Sequence, residues 1–260
     1  EKNVEISLQV VNDDGIALPN CITHANSDKS PVTEYHSTVY YHLNTPYYGE
    51  TVRINVPNDM IERCHLFISF WHVSTSKKIS CFSYSYLPLT TPEGAIIPDS
   101  EYKLLTYKPF AKIEAYPSQG GAFYLLGDQA KPKLEVRKEH LVVRTQSLST
   151  FKTQNLLLHS VLNHSKLGHD PSGGQIRALA EKFIGGMTKE SLPDLVRYMR
   201  ELFHTLFTML LTPSYAPAHG AIFKAILHAL TLLIDRKNAQ LAGAPGTSLP
   251  TWEMVDEYIT

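Results

Sequence analysis

The spacing of apolar residues changes near residue 150, and that change restricts the fold more than any other feature of the chain. Before it, apolar and polar residues alternate. In VEISLQV, Val4, Ile6, Leu8 and Val10 fall on one face and Glu5, Ser7 and Gln9 on the other, the period of a β-strand. Comparable runs are STVYYHL (37–43), TVRINV (51–56), HLFISFWHV (65–73), ISCFSYSYL (79–87) and YKLLTYK (102–108), with LEVRKEHLVVRTQSL (134–148) holding one long or two short strands. Turn-forming clusters such as Asn12-Asp13-Asp14-Gly15 and Pro57-Asn58-Asp59 separate them. Short strands at this spacing, with no helices between, predict an antiparallel sandwich or barrel, the sandwich preferred because a single sheet would leave one apolar face wet.

After residue 150 the period becomes helical. Leu192, Leu195, Val196, Met199, Leu202, Phe203, Leu206 and Leu210 recur at three and four, as do Phe223, Ile226, Leu227, Leu230 and Ile234. Shorter helices are predicted at 153–166, 173–185 and 250–259. Thr188 reads as an N-cap, Pro213 as a stop, and Gly185-Gly186 and 242–246 as inter-helix loops. Successive helices with short loops predict a bundle or the opening of an α-solenoid.

Antiparallel succession sends alternate connections to opposite ends of the sandwich. One end then collects the start of the first strand, loops 44–50 and 74–78, and the segment from 108 onward. Its bases are Lys2, Lys77, Lys78, Lys108 and Lys112, against Glu1, Glu50 and Glu114, with no arginine fork among them. The other end holds Asp13, Asp14, Asp28, Glu34, Asp59, Glu62, Glu93, Asp99 and Glu101 against Lys29 and Arg63. The net charge of −1 excludes a general basic field, hence nucleic acid as a partner, and leaves a local basic rim suited to an anionic head group. Two readings of Lys77-Lys78 stay open, a phosphate contact or a solvated turn. Tyr47 and Tyr48 in TPYYGE likewise read either as membrane-interface rings or as sandwich packing.

Catalytic signatures are missing. There is no HExxH, no zinc-spaced cysteine pair, no nucleophile elbow and no phosphate-binding loop lysine, and the acids lack the dense spacing that calcium prefers. No cofactor is expected. Cys21, Cys64 and Cys81 are odd in number and unclustered, and no signal peptide precedes them, which predicts a cytoplasmic setting. The start, Glu1-Lys2-Asn3 directly into a strand, reads as a segment of something longer.

EYHSTVYYHLNTPYYGETVRINVP (34–57), HLFISFWHVS (65–74) and FSYSYLPL (82–89) resemble the first DOCK-homology region of the dedicator-of-cytokinesis family. The shared order is an extended E-Y-x-S/T strand, a Pro-aromatic-x-E-T-V turn into the next strand, then H-L-x-x-x-F-x-H. The segment VVRTQSLSTFKTQNLLLHSVLNHS (142–165) is similar to the family's exit into its helical region. This resemblance implies a calcium-independent C2-type β-sandwich over 1–150, lacking the family's first strand, and an all-α armadillo-like segment over 151–260. It implies binding of phosphoinositide membrane lipids, phosphatidylinositol 3,4,5-trisphosphate favoured, through basic loops at one end, to which Lys2, Lys77 and Lys78 correspond; the strand-end reading adds Lys108 and Lys112, with Tyr47 and Tyr48 at the interface. The segment would recruit a Rho-family guanine nucleotide exchange factor, linked to Rac/Cdc42-type GTPases, peripherally to membranes. No part of the chain matches the exchange module, so the chain itself is expected to be non-catalytic. The alternative is a scaffold segment that holds a protein partner or self-associates through its helices.

Overall fold

The computed structural model describes residues 2–24, 30–43, 45–74, 79–109, 122, 124–125, 133–149, 152–167 and 172–241. Contacts divide the chain into two units, Glu1–Ser147 and Leu148–Thr260. The described residues of the first form β1 (Val4–Asn12), β2 (Ile22–His24), β3 (Glu34–His36), β4 (Val52–Ile54), β5 (Cys64–Val73), β6 (Ile79–Pro88), β7 (Glu101–Tyr107) and β8 (Val136–Arg144). Six of them make one antiparallel sheet in the order β3-β1-β5-β6-β7-β8, while β2 and β4 pair as a second. This is the antiparallel sandwich that the alternation predicts, with layers of unequal size, and it agrees with the C2-type sandwich that the resemblance implies.

Period two sets the packing. Leu8, Val10, Leu66, Ile68 and Phe70 point from the large sheet to a core closed by Ile22, Val52 and Ile54 of the small one. The opposite face carries Val11, Phe67, Tyr84 and Tyr107, which pack with Ala122 and Tyr124 from the connection between β7 and β8. Ala122, Tyr124 and Leu125 pack over that face. Ser83 and Ser85 donate side-chain hydrogen bonds to the carbonyls of Tyr107 and Leu105, at 3.0 and 2.7 Å, where the β6–β7 ladder narrows to Tyr84 opposite Tyr107.

One strand expectation fails, and the short strands β2 and β3 were not expected from the alternation. The run 37–43 is not a strand; pairing with β1 belongs to Glu34–His36, and only Tyr40 returns to bridge Val4. The Ser37 hydroxyl accepts from the Ile6 amide and donates to the Thr38 carbonyl, so a side chain takes over where the ladder would continue. Three-residue β2 was too short to show a period.

The second unit contains α1 (Leu156–Leu162), α2 (Gly173–Gly186), α3 (Leu192–Arg197), α4 (Met199–Leu211) and α5 (His219–Leu241). Asn155 caps α1, accepting from Leu157 and Leu158, and Ser172 caps α2 in a reciprocal box with Gln175. The single helix expected through 192–210 is two, broken at Tyr198, whose hydroxyl donates to the Lys152 carbonyl at 2.6 Å. Thr188 makes no side-chain cap bond. Gly185-Gly186 is not a loop but the last turn of α2, and a Cβ on Gly186 would collide with the Leu157 side chain of α1. The stretch Pro213–Asp235 is long and apolar enough to cross a membrane, yet Ile222, Ala225, Ile226, Ala229, Leu232 and Leu233 are buried in the helical core. It is the central helix of a packed bundle. The loop 242–246 and the helix 250–259 expected from sequence lie outside the described residues.

Candidate functional site

The registers fix which strand ends meet. Val4 faces His72, Val73 faces Ile79, and Tyr107 faces both Tyr84 and Val136. The starts of β1, β6 and β8 therefore gather with the ends of β5 and β7. Asn3 ties this end together. Its amide donates to His72 Nδ1 at 3.1 Å, its side-chain nitrogen to the Val73 carbonyl at 2.8 Å, and its side-chain oxygen accepts from His42 N at 3.2 Å.

Here the β5–β6 ladder slips. Phe70 faces Ser83 and Trp71 faces Cys81, so Phe82 is an extra residue without a cross-strand partner. A bulge of this kind re-aims the extra side chain and frees its backbone from the ladder. The Lys2 ammonium lies 3.9 Å from the centroid of the Phe82 ring, and the Arg137 guanidinium 5.8 Å from it. Arg137 is anchored from β8, donating to the Phe82 carbonyl at 2.9 Å and to the Glu139 carboxylate at 3.4 Å. Partial burial lowers the Lys2 pKa from its ordinary value; repulsion from Arg137 lowers it further and Glu139 opposes the shift. Two cations thus share one aromatic ring, with the exposed Glu139 carboxylate beside Arg137. Such a site favours an anion, which would relieve the repulsion.

The lysines named from sequence divide. Lys2 belongs to this cluster. Lys108 is at the same end but pairs with Glu135 at 2.8 Å, an exposed ion pair that also lowers the Glu135 pKa. Lys77, Lys78 and Lys112 lie outside the described residues. The tyrosine pair splits. Tyr47 is 87% exposed, while Tyr48 packs against the sandwich core, its hydroxyl buried without a partner among the described residues and its pKa raised by burial.

Sequence reasoning missed Arg137 and held that this end had no arginine. Its charge tally stopped at Glu114, before the start of β8. Extending the same alternation by one strand brings Arg137 to this end, together with Lys133, Lys138, Glu135 and Glu139, so an arginine joins a rim of mixed charge. At the opposite end Arg63 lies 3.6 Å from Asp13 and 3.3 Å from Asp14, and Asp99, Ser100, Glu101, Arg144, Thr145 and Gln146 line a shallow cleft. Among the described residues no three His, Cys, Asp or Glu side chains converge as metal ligands.

The chain matches the family model for the C2 domain in Dock180 and Zizimin proteins over residues 1–156. It is 26% identical over 250 residues to dedicator of cytokinesis protein 4 of Homo sapiens and 27% identical over 255 residues to dedicator of cytokinesis protein 3 of Mus musculus. Each alignment covers 91% of this chain and 12% of the relative. Dedicator of cytokinesis protein 11 of Danio rerio is 24% identical over 231 residues, covering 80% of the chain and 10% of the relative. The chain therefore spans about an eighth of the length of the first two relatives. The residues that build both sheets and the Lys2–Phe82–Arg137 cluster fall within the matched segment, and the chain belongs to the family of C2 domains found in Dock180 and Zizimin proteins.

Proposed function

We propose that this chain is a non-catalytic membrane-targeting segment that binds phosphoinositide head groups at the end of the sandwich where β1 begins. The observation that carries the reading is the pair of cations, Lys2 and Arg137, at the Phe82 ring that a bulge re-aims, with the Lys2 charge disfavoured by partial burial and then by Arg137. A phosphate monoester supplies the opposite charge and accepts the donors that the guanidinium has left. Lys77, Lys78, Lys108 and Lys112 would widen the contact to the several phosphates of phosphatidylinositol 3,4,5-trisphosphate. Tyr47 would meet the lipid interface, with Tyr48 as its packed support. The parent protein would be a cytoplasmic exchange factor for Rac/Cdc42-type GTPases, brought peripherally to membranes by this segment, with exchange activity residing elsewhere in it.

The test is sedimentation with phosphatidylcholine vesicles carrying mono-, bis- or trisphosphorylated inositol lipid. Lys2→Gln with Arg137→Gln is expected to weaken binding about tenfold or more, at about 1 kcal/mol per charge near the surface. Wild-type binding by a double variant that unfolds at the wild-type temperature would remove the cluster from the site.

A second reading, a scaffold segment that self-associates or holds a protein, draws support from the helical unit. Phe223, Leu227 and Ile234 of α5 are 54, 47 and 51% exposed and fall on one helical stripe.

A further inference from the structure

We infer that the connection between β3 and β4 enters the apolar edge of a lipid interface through Val39, Tyr41, Leu43 and Tyr47. The inference rests on the membrane reading above and adds an insertion step to what is otherwise an electrostatic contact. From Ser37 to Gly49 the sequence holds no Asp, Glu, Lys or Arg. The first acid beyond it, Glu50, is turned to the loop base, where its carboxylate accepts from the Tyr35 hydroxyl and from the Thr38 amide at 3.1 Å. Moving the connection toward hydrocarbon therefore desolvates no unpaired charge.

Its exposed side chains are the wrong kind for water. Val39 is 41%, Tyr41 66%, Leu43 42% and Tyr47 87% exposed. Tyrosine is the side chain that membrane–water interfaces enrich, an apolar body with a polar tip. The base of the connection is fixed. The Tyr40 hydroxyl donates to the Tyr48 carbonyl at 2.9 Å, the two rings meet edge to face at 5.1 Å, and Gly49 closes the turn at a φ of +57°. The base that presents the four side chains is thus held before docking, which lowers the ordering cost of the backbone.

Position supplies the occupant. Tyr40 bridges Val4 and His42 donates to Asn3, the residue after Lys2, so the apolar connection stands on the end that carries the Lys2–Arg137 cations. Apolar and aromatic side chains next to cations match an anionic lipid surface, where the charges meet head groups and the rings go below them.

The test places a reporter in the loop. On vesicles of phosphatidylcholine with trisphosphorylated inositol lipid, Tyr47→Trp is expected to add a blue-shifted emission, relative to the wild-type chain, that brominated acyl chains quench. The variant Tyr41→Ser, Leu43→Ser, Tyr47→Ser is expected to lose about tenfold or more of the binding that survives high salt, since salt removes the electrostatic part and leaves the apolar one. Unshifted, unquenched Trp emission on vesicles that still sediment the protein would overturn insertion while leaving head-group binding intact. It is also the outcome expected if the patch instead covers a protein partner. Undiminished high-salt binding by the serine variant would overturn insertion too. Failure of the wild-type chain to sediment with any phosphoinositide vesicle would overturn both readings together.

Discussion

His65 of β5 is buried, its Nε2 lies 2.6 Å from the Tyr124 hydroxyl, and its Nδ1 finds no partner among the described residues. Among the described residues no carboxylate compensates a positive charge there, and burial lowers its pKa from 6.5 to about 4. The unfolded chain takes up this proton below about 6.5 while the folded chain refuses it until about 4. The contribution to stability is therefore full above pH 6.5 and is lost as pH falls through that window, amounting to about 3 kcal/mol. Urea unfolding at several pH values is expected to show this loss, and His65→Gln should remove most of it. An equal acid loss in both chains would place the sensitivity elsewhere. A histidine in an alternating run signals only which face it takes; that the face is dry is set by Tyr124, from far along the chain.

Elements show the same division between local and distant causes. Ser172 caps α2 with its hydroxyl on the Gln175 amide while Gln175 reaches back to the Ser172 amide, a local pattern present in the S-x-x-Q spelling. Ser172→Ala is expected to cost about 1 kcal/mol of unfolding free energy in urea titration, and a loss below a few tenths would mean solvent replaces the cap. The strands β5, β6 and β7 were legible because their alternation is long and regular. The bulge at Phe82 was not, because one extra residue leaves an apolar run looking unbroken, and only the partner strand reveals the slip. Nor was the break at Tyr198, where apolar spacing continues through a residue whose hydroxyl is drawn to Lys152.

For the molecule as a whole, a net charge of −1 leaves binding to local arrangement rather than to a general field. The acid-rich end and the Lys2–Arg137 end are opposite ends of one sheet, so the chain carries its polarity along the strands. In the helical unit, the α5 stripe gives the scaffold reading its own test. Self-association through it would appear in light scattering as a mass that rises with concentration, and Phe223→Glu with Leu227→Glu would restore a single-chain mass. A mass constant with concentration in the wild-type chain would count against it.

The sequence by itself determined the β-then-α order, the antiparallel succession from β5 to β8, and which residues of each long strand share a face. These follow from local periods of two and 3.6, written in residues a few positions apart. The resemblance of 34–57, 65–74 and 82–89 to a known family was likewise present in the chain alone. Only the tertiary structure decided that Arg137 meets Lys2 across Phe82, that Lys108 is paired with Glu135, and that Tyr48 packs inward while Tyr47 faces out. Those outcomes depend on register, a bulge and the approach of residues dozens or more positions apart, where a shift of one residue turns a side chain to the other face.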